Sequence, residues 1–116
     1  MEQNILNKFN MSGRTVLVTG AGGLLGKQFS LALAQAGARV MLADLAEDLA
    51  QAQAEYICSL GLSAEALRVD VIDPISTRAM VARTLERFGR LDVLINSAAM
   101  DPKFDPQHEG QQAANA

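Results

Sequence analysis

The most informative segment of this chain is Thr-Val-Leu-Val-Thr-Gly-Ala-Gly-Gly-Leu-Leu-Gly, residues 15–26. An apolar, β-branched run ends at a glycine cluster, and a helical pattern of apolar residues begins directly after it. Glycines let a backbone approach a phosphate closely, and a helix N-terminus offers N–H groups and the positive end of a dipole. The stretch therefore predicts a strand, a turn and a helix that together form a phosphate-binding site.

Strands and helices alternate along the following residues. The predicted strands cover residues 14–19, 38–43, 66–69 and 91–95, and the predicted helices cover residues 24–36, 47–60 and 74–88. The first strand is apolar without alternation at Val16, Leu17 and Val18. Such a run is typical of a strand buried on both faces of a parallel sheet. The third helix has the strongest boundaries, because Asp73 and Pro74 suit its N-cap and first position and Gly89 ends it.

The helical periodicity also predicts which helix faces are buried. The apolar stripe of the first helix is predicted to contain Leu25, Phe29, Ala32, Leu33 and Ala36. The stripe of the third helix is predicted to contain Val81, Ala82, Leu85 and Phe88.

The alternation predicts an α/β fold of three layers, with a doubly wound parallel sheet between helices. The expected strand order is 3-2-1-4, which is that of a Rossmann-type half truncated after its fourth strand. Residues 1–99 are expected to form this incomplete dinucleotide-binding domain, and residues 100–116 a polar, poorly ordered tail. The fourth strand would then be an unpaired apolar edge, which favours a homo-oligomer formed through that strand.

Composition restricts the partners and the compartment. A net charge of −3 and a pI near 5.0 argue against binding of nucleic acid or of an anionic membrane surface. No apolar run approaches the roughly 18 residues of a membrane span, and the N-terminus lacks the apolar region of a signal peptide. Cys58 is the only cysteine, which excludes an internal disulfide and favours a reducing compartment. We therefore expect a soluble, cytoplasmic protein without a metal site.

The glycine spacing in the turn departs from the strict Gly-x-Gly-x-x-Gly pattern. Gly20 and Gly22 fit its first two positions, but the third falls on Leu25. The spacing that does fit places glycines at Gly20, Gly23 and Gly26. A glycine pattern alone is weak, but here a strand precedes it, a helix follows it and an acidic residue ends the next strand.

That acidic residue is Asp44, eighteen positions after Gly26. A carboxylate at the end of the second strand can accept hydrogen bonds from both hydroxyls of an adenosine ribose, and it repels a 2′-phosphate. No Arg or Lys lies in the turn before Gly26 or directly after Asp44. The sequence therefore predicts NAD rather than NADP as cofactor, although Asp44 could instead be a solvated or helix-capping carboxylate.

Residues 19–26 resemble the nucleotide turn of the short-chain dehydrogenase/reductase family. Their glycine spacing is closer to the extended branch of that family, since the commoner branch has glycine at the position of Leu24. The resemblance also includes Asp70-Val71, similar to the adenine-contacting pair after the third strand, and residues 96–99, similar to Asn-Asn-Ala-Gly after the fourth. It departs from the family pattern at Ser97 and Ala99.

The resemblance implies roles for the residues that end these strands. Asp70 would accept a hydrogen bond from the adenine amine and Val71 would border the ring, although Asp70 could be only a turn residue before Asp73. Asn96 would chiefly support the fold beside the cofactor, and Ala98 would lie against the nucleoside. The candidate cofactor-binding residues are thus Gly20, Gly23, Leu25, Gly26, Asp44, Asp70, Val71, Asn96 and Ala98.

The residues that perform chemistry in the family are missing. Its Tyr-x-x-x-Lys motif has no counterpart, because the only tyrosine, Tyr56, is followed four positions later by Leu60. Tyr56 is expected to pack on the second helix, and His108 lies in the polar tail. No catalytic residue is therefore predicted, and the chain is expected to be the N-terminal part of a longer enzyme.

Three functions stay open at this point. The first is an NAD-dependent oxidoreductase that transfers hydride between nicotinamide and a small alcohol or carbonyl substrate, represented by its cofactor-binding part. The second is a non-catalytic dinucleotide-binding module or a truncated gene product. The third is a methyltransferase-like site for S-adenosylmethionine, which is disfavoured because Thr19 occupies the place where such turns usually begin with an acidic residue.

Overall fold

The computed structural model of this protein describes residues 8–98. The elements are β1 (Thr15–Thr19), α1 (Leu24–Gln35), β2 (Arg39–Asp44), α2 (Glu47–Ser59), β3 (Ala64–Arg68), α3 (Pro74–Phe88) and β4 (Val93–Asn96). All seven predicted elements are present in the predicted order. The strand bounds differ from the prediction by one or two residues. The predicted tail, residues 100–116, lies outside the described residues.

The four strands form one parallel sheet in the order β3-β2-β1-β4, which confirms the predicted topology. Val16 of β1 pairs with Val40 on one side and with Val93 on the other, so β1 lies inside the sheet. All five residues of β1 are buried, as the run of apolar residues predicts. Because the strands are parallel, their carboxyl ends meet at one edge, where the glycine turn also lies.

Helices cover both faces of the sheet and produce three layers. On one face, Val16, Val40 and Leu42 form a core with side chains of α1 and α2, including Ala34 and Ile57. On the other face, Leu17 and Met41 form a second core with Met80 and Phe88 of α3.

The buried face of α1 differs from the predicted stripe. Its buried residues are Gly26, Ser30 and Ala34, whereas Leu25 and Phe29 are exposed. Leu33 of the predicted stripe does pack against the core, partly buried. The prediction was wrong for Leu25 and Phe29, because α1 begins in contact with the glycine turn and its first buried position, Gly26, has no room for a side chain. The Ser30 hydroxyl is accommodated in this face because it donates a hydrogen bond of 2.7 Å to the Gly26 carbonyl.

The ends of α3 are as predicted, and its buried face agrees with the prediction in part. The Asp73 carboxylate accepts a hydrogen bond of 3.0 Å from the Ile75 N–H, and Gly89 ends the helix with a positive φ of 79°. The fully buried residues are Met80, Thr84 and Phe88. The prediction was right for Phe88 and for Val81, which packs against the core, and wrong for Leu85, which is exposed. Thr84 is buried because its hydroxyl donates to the Met80 carbonyl.

Ion pairs hold the amino ends of the strands, opposite the glycine turn. Nε of Arg87, on α3, lies 3.0 Å from Oε2 of Glu65, on β3. The Arg90 guanidinium donates two hydrogen bonds to the carboxylate of Asp92, which also accepts one from the backbone N–H of Thr15. These hydrogen bonds hold the pKa of Asp92 below its ordinary value, and Asp92 in turn raises the pKa of Arg90.

Candidate cofactor site

A cleft of about 580 Å³ lies at the carboxyl edge of the sheet. The loops that follow all four strands contribute to it. It is lined by Gly20, Gly22, Gly23, Asp44, Leu45, Ala46, Leu49, Val69, Asp70, Val71, Ile72, Ser97 and Ala98. Of the predicted cofactor-binding residues, Gly20, Gly23, Asp44, Asp70, Val71 and Ala98 line the cleft.

Gly20 and Gly26 of the turn have no space for a side chain. Gly20 has a positive φ of 69°, and a Cβ atom there would lie 2.7 Å from the Cα of Ala98. A Cβ atom on Gly26 would lie 2.1 Å from the carbonyl oxygen of Gly20. Gly20 therefore lets the loop after β4 pass beside the turn, and Gly26 lets α1 begin directly against it.

The sequence-based interpretation selected Gly23 and omitted Gly22, but the structure restricts a side chain more at Gly22 than at Gly23. A Cβ atom on Gly22 would lie 2.7 Å from the Cβ of Leu49, whereas on Gly23 its nearest neighbour would be the Gly20 carbonyl oxygen at 3.4 Å. The requirement for glycine is thus stronger at Gly22. The strict glycine pattern, which places a glycine at Gly22, was the signal that pointed to it.

The N-terminus of α1 is suited to hold a phosphate group. The helix begins after Gly23, and within the described residues no side chain caps its first N–H groups, in contrast to Asp73 on α3. Backbone N–H groups left free at a helix N-terminus form a site for an anion. Leu25 belongs to this first turn, but its side chain is 59% exposed and does not line the cleft.

Asp44 lies at the end of β2 with its carboxylate bound at both oxygens. Oδ2 accepts a hydrogen bond of 2.8 Å from the Gly22 N–H, and Oδ1 accepts one of 2.9 Å from the Ala46 N–H. Each carboxylate oxygen can accept a further hydrogen bond. The carboxylate is therefore held in a fixed orientation beside the cleft and can still accept hydrogen bonds from a ligand.

Asp70 and Val71 follow β3 on the adjoining wall of the cleft. The Asp70 backbone carbonyl accepts a hydrogen bond from the Asp73 N–H. The Asp70 carboxylate accepts one of 3.2 Å from the Ile72 N–H. The Asp70 N–H donates to the Ser76 hydroxyl at 2.9 Å. Asp70 is thus a turn residue, which was the alternative role considered for it, and it also lines the cleft.

Asn96 and Ser97 join the end of β4 to the end of β1. The Thr19 hydroxyl donates a hydrogen bond of 2.8 Å to the Asn96 side-chain oxygen. Ser97, which departs from the family pattern, donates to the Thr19 carbonyl from both its N–H and its hydroxyl. These bonds keep the loop at Ala98 close to Gly20.

Neither Tyr56 nor Cys58 lines the cleft. Tyr56 lies on α2 with its side chain 51% exposed, so the expectation that it is packed is wrong. Cys58 is exposed, and His108 lies outside the described residues. Between residues 8 and 98, no group of His, Cys, Asp and Glu could hold a metal ion, and no helix is long and apolar enough to cross a membrane.

The parallel sheet in the order β3-β2-β1-β4, with helices on both faces and a glycine turn after β1, defines a Rossmann-like protein of the doubly wound α/β class. The family model described as short chain dehydrogenase matches residues 14–115. The chain belongs to this family of oxidoreductases, whose members use nicotinamide cofactors.

Individual relatives agree with this assignment. The chain is 38% identical over 100 residues to the short chain dehydrogenase/reductase astE of Aspergillus oryzae, covering 85% of this chain and 38% of that protein. A short-chain type dehydrogenase/reductase from Mycobacterium marinum has a similar structure, with a TM-score of 0.82 and 32% identity, over 95% of this chain and 46% of that one.

A third relative contains a bound cofactor. The structure of a putative D-mannonate oxidoreductase from Haemophilus influenza with bound NAD has a TM-score of 0.79 and 29% identity, over 86% of this chain and 36% of that one. The chain thus spans less than half the length of each of these three relatives.

Proposed function

We propose that this chain binds NAD in the cleft and supplies the cofactor-binding part of an oxidoreductase that transfers hydride between nicotinamide and the carbon of a small alcohol or carbonyl compound. The position of the Asp44 carboxylate is the observation that carries the proposal. It is fixed at both oxygens by backbone N–H groups and lies on the wall of the cleft.

Asp44 would select the cofactor through its adenosine ribose. Its two oxygens can each accept a hydrogen bond from one ribose hydroxyl, and its charge disfavours a 2′-phosphate. No basic side chain lines the cleft among the described residues to offset this charge. NAD is therefore the better fit, and NADP the weaker one.

The other residues would hold the remaining parts of the adenosine half. The free N–H groups at the N-terminus of α1 would bind the pyrophosphate, and Gly20 and Gly26 let the backbone approach it. Asp70 would accept a hydrogen bond from the adenine amine, and Val71 would pack against the ring. When bound, nicotinamide supplies the group that donates or accepts the hydride.

No residue of the described fold is assigned to proton transfer to or from the substrate. We therefore expect the purified 116-residue chain to bind NAD without oxidising an alcohol. A non-catalytic binding module is the alternative function, and it predicts the same binding. Reproducible reduction of NAD by the purified chain with an alcohol would show that it contains a complete active site.

Calorimetric titration of the chain with NAD and with NADP tests the cofactor assignment. Asp44→Asn should weaken NAD binding by about tenfold or more, because a charged hydrogen-bond acceptor contributes about 1.5–3 kcal/mol. NADP binding should weaken less. Asp48→Asn is the matched control, since it removes the same charge from an exposed residue of α2 that does not line the cleft.

Two results would contradict the proposal. One is absence of NAD binding at millimolar cofactor, and the other is an equal loss of affinity for NAD and NADP in Asp44→Asn.

A further inference from the structure

Gly22 contacts the one carboxylate that is proposed to recognise the ribose. Its N–H donates a hydrogen bond of 2.8 Å to Asp44 Oδ2, across 22 positions of the sequence. The Ala46 N–H holds the other oxygen, but Ala46 is only two residues from Asp44 and follows it on the same segment. Gly22 is therefore the group that ties the orientation of Asp44 to the glycine turn.

Gly22 also has no space for a side chain. A Cβ atom there would lie 3.0 Å from Asp44 Oδ2 and 2.7 Å from the Cβ of Leu49. The Leu49 Cβ is attached directly to the backbone of α2, so rotation of the Leu49 side chain cannot relieve the contact. Either the first turn of α2 or the glycine turn would have to move, and the hydrogen bond to Asp44 would change with it.

We propose that Gly22 is a position that determines cofactor preference, because its N–H and its missing side chain fix the Asp44 carboxylate in the orientation that accepts a ribose diol. This inference rests on the proposed function. Gly22 acts as a positioning residue through Asp44. Its effect should therefore depend on the Asp44 charge and should be larger for NAD than for NADP.

A double-mutant cycle separates this role from a direct contact of Gly22 with the cofactor. Calorimetry would compare the wild-type chain with Gly22→Ala, Asp44→Asn and the double variant, each with NAD and with NADP. We expect Gly22→Ala to weaken NAD binding by about tenfold, as expected for loss of a hydrogen bond to a charged group. In the Asp44→Asn background the same substitution should change NAD binding by less than about twofold, since interacting residues are non-additive.

The outcomes distinguish this inference from the proposed function. If Asp44→Asn weakens NAD selectively but the two losses add, Gly22 acts independently of Asp44 and this inference is wrong while the proposed function stands. An equal effect of Gly22→Ala on NAD and NADP would also overturn it. Absence of NAD binding by the wild-type chain would overturn both.

A second measurement does not depend on the folding of Gly22→Ala. In a ¹H–¹⁵N NMR spectrum, the Gly22 amide proton should move upfield and exchange faster with solvent in Asp44→Asn than in the wild-type chain. Asp48→Asn should leave this resonance in place. A Gly22 amide that does not respond to Asp44→Asn would show that the hydrogen bond does not couple the two residues and would overturn the inference.

Discussion

A Cβ atom on Gly26 would lie 2.1 Å from the carbonyl oxygen of Gly20, closer than any two such atoms can approach. This relationship joins the first turn of α1 to the end of β1. It also explains why the buried positions of α1 begin with a glycine; they are Gly26, Ser30 and Ala34. A helix that begins in direct contact with the preceding turn has no room for a large side chain at its first buried position, whereas Leu31 and Leu33 further along α1 pack against the core.

Gly26→Ala should therefore destabilise the fold. The added methyl group forces α1 away from the turn, and overpacking of this kind costs about 3 kcal/mol. Urea unfolding followed by circular dichroism measures the change in the free energy of unfolding. Gln28→Ala, at an exposed position of the same helix, should change it by less than about 0.5 kcal/mol. Equal stability of the two variants would contradict the contact.

Removal of the Asp73 side chain should weaken the start of α3. Asp73 accepts the hydrogen bond of the Ile75 N–H, and loss of such a cap costs about 1 kcal/mol. Asp73→Ala should lower the free energy of unfolding by this amount, whereas Asp73→Ser keeps a capping oxygen and should restore most of it. If Ser and Ala give the same loss, the side chain does not cap the helix.

The features that were predicted correctly depend on local sequence. Asp73, Pro74 and Gly89 specify the ends of α3 through their own backbone conformations and hydrogen bonds, and the structure confirms them. The strand order also follows from general rules of parallel connections, once the alternation of strands and helices is known.

The features that were missed depend on contacts between distant segments. The predicted apolar stripe of α1 was right for Leu33 and wrong for Leu25 and Phe29. The contact between Gly20 and Gly26, which fixes the start of α1 against the turn, is not visible in helical periodicity. The start of β3 was placed two residues too late. Glu65 belongs to the strand because it pairs with Met41 of β2, and its carboxylate pairs with Arg87 of α3. Gly22 was omitted because its partners, Asp44 and Leu49, lie on other elements.

The stability of the fold should depend on the ionisation of Asp92. The hydrogen bonds from the Arg90 side chain and the Thr15 N–H lower its pKa in the folded chain. Between this lowered pKa and the ordinary value of about 3.9, the unfolded chain binds more protons than the folded one. The contribution of Asp92 is therefore complete above the ordinary value and is lost as the pH falls through the folded pKa.

Urea unfolding over a series of acidic pH values checks this dependence. Asp92→Asn should flatten the decline in stability toward low pH, while Asp48→Asn should leave the decline as it is in the wild-type chain. Arg90→Gln should have an intermediate effect, because the Thr15 N–H still donates to the carboxylate. An Asp92→Asn variant with an unchanged pH profile would show that this carboxylate does not titrate with folding.

The edge strand β4 should cause the chain to self-associate. Among residues 8–98, β4 pairs with β1 alone and forms one edge of the sheet. Leu94 lies on this strand with 56% of its surface exposed. An apolar edge strand offers unpaired backbone groups and apolar surface to a second chain. We expect the purified 116-residue chain to associate through β4, so that its average mass in sedimentation velocity rises with concentration.

A charge on β4 should oppose this association. Leu94→Lys places an ammonium group on the edge strand, where lysine is a common means of preventing edge-to-edge pairing, and it should shift the chain toward the monomer. Leu85→Lys is the matched control, because Leu85 is also an exposed leucine but lies on α3. If both substitutions reduce association equally, general apolar contact rather than β4 causes it. A wild-type chain that remains monomeric at all concentrations would exclude association through this strand.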